Sequence, residues 1–144
     1  MKPLKHLAVL ALSFLFCFSA FADKLKVGFV YVGPVGDHGW TYMHEQGRLA
    51  VKKAFGDKVE TTFIESVKYG PEAETVIRAM ANSGTDIIFA TSFGYMEPML
   101  KVAKEFPNVK FEHATGYKRS DNMSSYGLRL YLSLIHISEP TRQA

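Results

Sequence analysis

Cysteine is almost absent from this sequence of 144 residues. Its one cysteine, Cys17, lies inside an apolar N-terminal stretch. The rest of the chain therefore has no thiol for a disulfide, for nucleophilic catalysis or for a cysteine-based zinc site. The large side chains of Leu15 and Phe16 argue against a lipid-attachment box, which needs small residues directly before the cysteine. We do not expect a lipoprotein.

Hydrophobic runs long enough to cross a bilayer are also lacking. The longest run, Leu7–Phe18, has about a dozen residues, whereas a membrane-spanning helix needs about 20. Two lysines precede it, and Ala20-Phe21-Ala22 places small residues at positions −3 and −1 of a cut before Asp23. This order is typical of a secretory signal peptide. We expect residues 1–22 to be cleaved and the rest to be exported to the periplasm.

An excess of charge of either sign is missing as well. The formal net charge is +3 at pH 7, and between residues 23 and 131 there are 14 basic and 13 acidic residues. This segment contains no block of Lys or Arg. The charge pattern therefore gives no support for nucleic acid or an anionic membrane as a partner.

The last residues of the chain lack the patterning that precedes them. From Leu132 the sequence runs LSLIHISEPTR, which matches the translation of a transposon-type sequencing adapter. We interpret residues 132–144 as a non-native tail. We interpret residues 23–131 as one natural segment, truncated at its C-terminal end.

Strand and helix patterns alternate through this segment. Apolar, β-rich runs predict strands at 25–32, 59–67, 86–91, 109–113 and 123–130. Amphipathic runs predict helices at 40–55, from Pro71 to Ser83-Gly84, and at 96–106. The run at 25–32 is nearly continuously apolar, as expected of a strand buried on both faces, whereas the run at 59–67 is more polar and is expected nearer an edge of the sheet. One stripe of the first helix carries Met43, Gly47, Ala50 and Ala54, and one stripe of the second carries Ala73, Val76, Ile77, Met80 and Ala81.

This alternation predicts a parallel sheet with right-handed crossovers and helices on both faces. Ligands bind such sheets beyond the carboxyl ends of the strands, where the strand order reverses. Four predicted turns would meet there, and three of them carry an aromatic residue. They are Gly33–Gly39, Ser66–Gly70, Ser92–Tyr95 and Thr115–Lys118.

The first of these turns lies in VGPVGDHGW, residues 32–40. Its glycines have the spacing GxxGxxG rather than GxGxxG, and Asp37 would repel a pyrophosphate, so we do not expect a dinucleotide. An ionised carboxylate only accepts hydrogen bonds and suits a neutral ligand with N–H or O–H donors. Trp40 offers a flat face to a base or sugar ring, and Phe93 could supply the opposite face. Alternatively, Asp37 caps the helix that follows and Trp40 staples its start.

Other polar and aromatic residues give weaker signals. His38, His44 and Glu45 do not have the spacing of a full metal shell, so we predict no metal and no cofactor. Glu65 is either a site residue or a solvated strand end. Tyr95 and Tyr117 fall in ligand-side turns and are secondary candidates for ligand contact.

Two long stretches resemble the basic-membrane-protein (BMP) family of solute-binding proteins for ABC transporters. They are KVGFVYVGPVGDHGWTYMHEQGR and IIFATSFGYMEPMLKVAKEFPNVKFEHATGYK, and the resemblance covers essentially all of 24–131. It implies an α/β, Rossmann-like three-layer lobe with a parallel sheet. This would be the N-terminal lobe of a type I-like periplasmic binding protein, incomplete here, in a family with two lobes hinged around a cleft.

The resemblance also implies a ligand and the residues that bind it. Characterised members of the family bind purine nucleosides or purine bases. Asp37, Trp40 and Thr41 would touch the purine, although many relatives have Asn where Thr41 stands. The aromatic-Gly turn would be Phe93 and Gly94, with Ser92 adjacent.

The expected function is therefore a periplasmic substrate-binding protein. It would capture a purine nucleoside or base and present it to an ABC permease in the inner membrane. One alternative is a periplasmic ligand sensor with a signalling partner, and another is a nucleoside-processing enzyme. Asp37, His38 and Glu65 are the available acid–base groups and no nucleophile is evident, so we do not expect catalysis. We expect this single lobe to bind purines weakly or not at all.

Overall fold

The computed structural model describes residues 23–129. The predicted signal peptide and the predicted non-native tail lie outside these residues. The strands are β1 (Leu25–Val30), β2 (Val59–Ile64), β3 (Ile87–Ala90), β4 (Lys110–Ala114) and β5 (Met123–Tyr126). The helices are α1 (Trp40–Phe55), α2 (Pro71–Asn82) and α3 (Met96–Glu105), with short 3₁₀ turns at Gly56–Lys58 and Phe93–Tyr95. Among these helices, none has the length and apolar character needed to cross a membrane.

The five strands form one parallel sheet in the order β2-β1-β3-β4-β5. This confirms the predicted parallel α/β architecture. Phe29 of β1 pairs in register with Phe63 of β2 and with Phe89 of β3. The strand order therefore reverses around β1, and the turn after β1 lies at the switch point where ligands bind such sheets.

The position of each strand follows from its sequence. The run from Val27 to Val30 is buried, as expected of a central parallel strand with a nearly continuous apolar run. β2 is more polar, its residues are exposed or half-buried, and it forms an edge of the sheet. Both placements confirm the predictions from the residue pattern.

The larger core lies between one face of the sheet and helices α2 and α3. The predicted stripe of α2 is confirmed, because Ala73, Ile77, Met80 and Ala81 are buried. Gly28 lets α2 approach β1 closely, since an added Cβ would lie 3.0 Å from the Met80 sulfur. Burial of a large apolar side chain contributes about 1.5–3 kcal/mol, so this face supplies much of the folding free energy.

Side chains alternate across each strand, so the neighbours of Val30 in the chain point to the opposite face. There, Phe29 and Tyr31 form a smaller cluster with Val27. Phe29 stacks on Phe89, with ring centroids 5.0 Å apart. Helix α1 lies on this face, which gives the three layers of the predicted fold.

Helix α1 does not use its stripe of small and apolar residues to contact the sheet. Met43, Gly47, Ala50 and Ala54 are all exposed, and Met43 is 65% exposed. The buried residues of the helix are polar: Thr41, Glu45 and Arg48.

Polar partners on the sheet explain this orientation. The Tyr31 hydroxyl donates to Glu45 Oε2 at 3.0 Å. Arg48 donates to both oxygens of Glu45, at 2.8 and 2.5 Å, and to Thr61 Oγ1 at 2.7 Å. Burying charged groups is costly unless they are paired and hydrogen-bonded, and here both conditions are met.

Candidate ligand-binding site

We use the name binding rim for the four turns at the carboxyl edge of the sheet: Gly33–Gly39, Ser66–Gly70, Ser92–Tyr95 and Thr115–Lys118. Three of these turns contain a non-glycine residue with left-handed backbone: His38 (φ 54°), Ser66 (φ 58°) and Thr115 (φ 67°). Such conformations cost about 1–3 kcal/mol each and cluster at ligand sites. The strain therefore lies at the edge where the topology places a ligand.

Exposed aromatic rings are a second feature of the rim. Trp40 is 38% exposed at the end of the first turn, and Tyr69 and Phe93 are each 55% exposed. Tyr117 is 71% exposed, and its ring centroid lies 6.3 Å from that of Phe93. All four turns thus contribute an aromatic surface at or next to the turn.

The Asp37 carboxylate caps helix α1. Its Oδ1 accepts from the backbone N–H of Gly39 at 2.8 Å and of Tyr42 at 2.9 Å, and its Oδ2 accepts from that of Thr41 at 3.2 Å. These bonds hold the pKa of Asp37 below its ordinary value, and the bond from Gly39 has the largest effect. The capping role considered from the sequence is therefore present. The Thr41 side chain also lowers this pKa. A carboxylate has about four acceptor positions, so at most about one is left on this exposed group.

Trp40 lies at the rim rather than among the packed helices. Its Nε1–H donates to the backbone oxygen of Thr91, 2.5 Å away. Its ring makes an edge-to-face contact with His44, with centroids 4.8 Å apart. Burial lowers the pKa of His44, which favours the neutral ring. The indole is therefore held in one orientation at the carboxyl end of β3.

Thr41 lies beneath the first turn. It is fully buried, and its hydroxyl oxygen accepts from the backbone N–H of Gly33 at 3.2 Å. The structure thus gives Thr41 a contact that supports the turn. Its contact with a ligand stays a prediction.

The Ser92–Tyr95 turn is held from two sides. The Ser92 hydroxyl lies 2.8 Å from that of Tyr69, and the Ser92 carbonyl accepts from the Tyr95 N–H at 3.0 Å. An added Cβ on Gly94 would overlap the ring of Tyr69, so any larger residue there would have to displace that ring. Phe93 projects from this turn beside two residues that are fixed in place.

His113 supports the same turn from below. It is fully buried near the end of β4, with Nε2 2.9 Å from the Ser92 carbonyl oxygen. A carbonyl only accepts, so Nε2 carries the proton and Nδ1 is bare. Nδ1 has no hydrogen-bond partner among the described residues. Burial lowers the pKa of His113, while the bond to Ser92 opposes that shift.

Glu65 joins the first two turns. Its Oε2 accepts from the backbone N–H of Val35 at 2.7 Å, although the side chain is exposed. Neither of the two roles considered for Glu65 included this bond. Tyr95, by contrast, is fully buried, and its hydroxyl donates to the Val67 carbonyl at 2.6 Å. Both residues hold turns in place.

Tyr69 and His113 were missing from the residues selected by sequence. Tyr69 carried a signal, because its turn was one of those with an aromatic residue. His113 carried none, since its position in VKFEH fits an ordinary inward-facing strand residue.

An open concavity of about 620 Å³ adjoins Trp40. Its lining combines the start of α1 with residues at and beyond the end of β5: His38, Gly39, Trp40, Met43, His44, Tyr126 and Leu128. Within residues 23–129, no three His, Asp or Glu side chains come together to hold a metal ion. The exposed aromatic rings and the Asp37 carboxylate offer stacking and hydrogen bonding to a ligand at the rim.

Known proteins are similar to this chain in sequence and in fold. The chain is 62% identical over 109 residues to a purine-binding protein of Brucella abortus (strain 2308), covering 76% of this chain and 31% of that protein. It is 39% identical over 109 residues to a Haloferax volcanii protein named as a candidate ABC transporter glucose-binding protein, covering 76% and 27%. The chain thus spans less than a third of the length of each of these relatives.

Solved structures of transporter proteins have a similar fold. An ABC transporter solute-binding protein from Aeropyrum pernix K1 has a TM-score of 0.64 at 28% identity, over 73% of this chain and 29% of that one. One from Conexibacter woesei DSM 14684 has a TM-score of 0.63 at 24% identity, over 72% and 35%, and shows the fold alone. Residues 24–131 match the family described as Bmp, ABC transporter substrate-binding protein PnrA-like. The chain belongs to this family of transporter substrate-binding proteins.

Proposed function

We propose that this chain is the N-terminal lobe of an exported protein that captures a purine nucleoside or base for an ABC permease in the inner membrane. Residues 1–22 act as the export signal, and residues 23–131 form the lobe. The observation that carries the proposal is the Trp40 indole, which is 38% exposed and tethered to Thr91 at the switch point of the sheet.

The tether makes Trp40 suited to a flat ring. Because its Nε1–H is already bound to Thr91, the indole offers its face rather than its donor to a ligand. Stacking of a base on an aromatic side chain contributes about 1–3 kcal/mol. The 62% identical relative is named for purine binding, which agrees with this chemistry.

The state of Asp37 favours a base edge over a sugar. With three backbone donors bound, the carboxylate retains at most about one acceptor position. One acceptor suits a single ring N–H, whereas adjacent sugar hydroxyls are bound best by two carboxylate oxygens. Glucose is the second candidate, because the 39% identical relative is named for it and an indole also stacks on sugars.

Tight capture requires a second lobe. Proteins of this architecture close around a ligand by a hinge motion that is driven by contacts made in the closed state. One lobe supplies half of those contacts, so we expect this chain alone to bind at millimolar concentrations. The proposal assigns binding and no catalysis.

The single tryptophan gives a direct test. A chain with one Trp has one indole N–H signal in a ¹H–¹⁵N correlation spectrum, and that proton points at Thr91. Adenine and guanosine should shift the signal with a Kd of about 1 mM or weaker, and glucose should leave it unchanged. A response to glucose alone would mean that the ligand is a sugar and not a purine. Micromolar binding of a purine would contradict the need for a second lobe.

A further inference from the structure

Tyr69 connects two turns of the binding rim. Its hydroxyl lies 2.8 Å from Ser92 Oγ, 23 positions away in the chain. Tyr69 follows β2 and Ser92 follows β3, so this hydrogen bond joins turns on opposite sides of β1. It therefore spans the switch point itself.

The ring of Tyr69 makes two further contacts with the Ser92–Tyr95 turn. It lies against the backbone of Gly94 so closely that an added Cβ would overlap it. It also meets the Tyr95 ring edge to face, with centroids 5.4 Å apart at 68°. Tyr95 in turn donates to the carbonyl of Val67, two residues before Tyr69. The contacts thus form a closed cycle between the two turns.

Filling the core does not explain Tyr69, because 55% of it is exposed. Its contacts fall on the residues that flank Phe93, which is equally exposed. We propose that Tyr69 is a positioning residue of the site: it fixes the Ser92–Tyr95 turn and thereby the ring of Phe93 that faces the ligand. The contact of Phe93 with a ligand rests on the proposed function. The contact by which Tyr69 fixes the Ser92–Tyr95 turn does not.

The first test needs no ligand. The Tyr95 N–H donates to the Ser92 carbonyl and closes the turn, so its hydrogen exchange reports whether the turn is held. In the ligand-free chain, Tyr69→Phe and Ser92→Ala should each accelerate this exchange by about tenfold, the effect of one hydrogen bond. The double variant should exchange no faster than either single variant, because all three lack the same bond.

Two other variants sharpen the comparison. Gly94→Ala should displace the Tyr69 ring and accelerate exchange of the same amide while both hydroxyls remain. Tyr117→Phe is the matched control, because it removes a hydroxyl from an exposed tyrosine of another rim turn, and it should exchange like the wild type. An unchanged Tyr95 exchange rate in Tyr69→Phe would overturn the proposal.

The second test measures adenine binding through the indole N–H signal of Trp40. Tyr69→Phe keeps the ring, yet it should weaken binding about fivefold while the NMR spectrum shows that the chain is still folded at the temperature of the measurement. Faster exchange without weaker binding would show that Tyr69 holds the turn for stability alone and would overturn the positioning role. If the wild type fails to respond to adenine, the purine proposal fails, and the exchange rates still decide whether Tyr69 holds the turn.

Discussion

Trp40 Nε1 donates to the carbonyl oxygen of Thr91 across 51 positions of the chain. The bond joins the first residue of α1 to the residue that follows β3. Two rim turns, on either side of the strand-order reversal, are therefore fixed relative to each other before any ligand arrives. A binding surface that is already ordered loses less entropy on association.

The first prediction concerns this residue. Trp40→Ala should weaken adenine binding at least tenfold, because it removes the stacking face, and tenfold corresponds to about 1.4 kcal/mol. Since the indole signal is lost with the residue, binding is measured by calorimetry or by the ligand's own NMR signals. Trp40→Phe should retain part of the affinity.

Phe55→Ala is the control for Trp40. Phe55 is also exposed, at 55%, and lies at the opposite end of α1 from the rim. It should leave adenine binding unchanged. Equal losses in both variants would contradict a specific role for Trp40.

The second prediction concerns the stability of the chain in acid. The pKa of Asp37 is lower in the folded chain than its ordinary value of 3.8, so the stabilisation is complete above that value and is lost as the pH falls through the folded-state pKa. Asp37→Asn should lower the unfolding temperature at neutral pH by a few degrees and reduce its fall between about pH 5 and pH 2. Asp57→Asn, at a fully exposed position, should have neither effect.

The third prediction concerns the buried pair beneath α1. Glu45→Ala leaves the Arg48 guanidinium buried without its carboxylate and should destabilise the chain by about 3 kcal/mol. The double variant Glu45→Leu/Arg48→Met removes both charges and should lose much less. Chemical denaturation measures both, and Glu74→Ala, which disrupts the more accessible pair with Arg78, should cost less than Glu45→Ala. If the double variant loses as much stability as Glu45→Leu and Arg48→Met lose together, the two residues are not coupled.

The fourth prediction concerns histidine protonation. Burial lowers the pKa of His113 and His44 below 6.5 in the folded chain. The unfolded chain therefore takes up more protons, and stability falls as the pH drops below about 6.5 towards the folded-state pKa values. His113→Gln keeps a donor for Ser92 but cannot titrate, so its unfolding temperature should change less between about pH 7.5 and pH 5.5. An unchanged dependence on pH in His113→Gln would contradict this role of His113.

Much of the fold could be predicted because apolar patterns determined it. The buried run of β1, the edge position of β2 and the inner stripe of α2 all agree with the structure. The ends of strands were less predictable. The pattern placed β2 at 59–67, whereas its ladder ends at Ile64, because Glu65 and Ser66 turn away to bind the first turn.

The orientation of α1 could not be predicted from the helical period alone. Hydrophobic periodicity assumes that polar side chains face water, and that assumption fails where the sheet offers partners to them. Here Tyr31 and Thr61 bind Glu45 and Arg48, so the polar face of the helix turns inward. These partners come from two different strands, and only the assembled sheet shows them beneath the helix.

In the candidate site, too, some features could be predicted from the sequence and others could not. The sequence placed Trp40 at the carboxyl edge, where the structure has it. The bonds of Asp37 show that it caps α1, which was one of the two roles that its sequence position left open, and its contact with a ligand stays a prediction. The connections of Tyr69 and His113 to Ser92 depend on tertiary contacts between separate turns, for which a single sequence carries no pattern.

The central place of β1 also has a consequence for biosynthesis. Of its two neighbours, β3 is the later in the chain, and it ends at Ala90. When the ribosome has made β1, α1 and β2, the indole of Trp40 still lacks its carbonyl acceptor at Thr91. The proposed ligand surface around Trp40 is therefore incomplete until translation has passed Thr91.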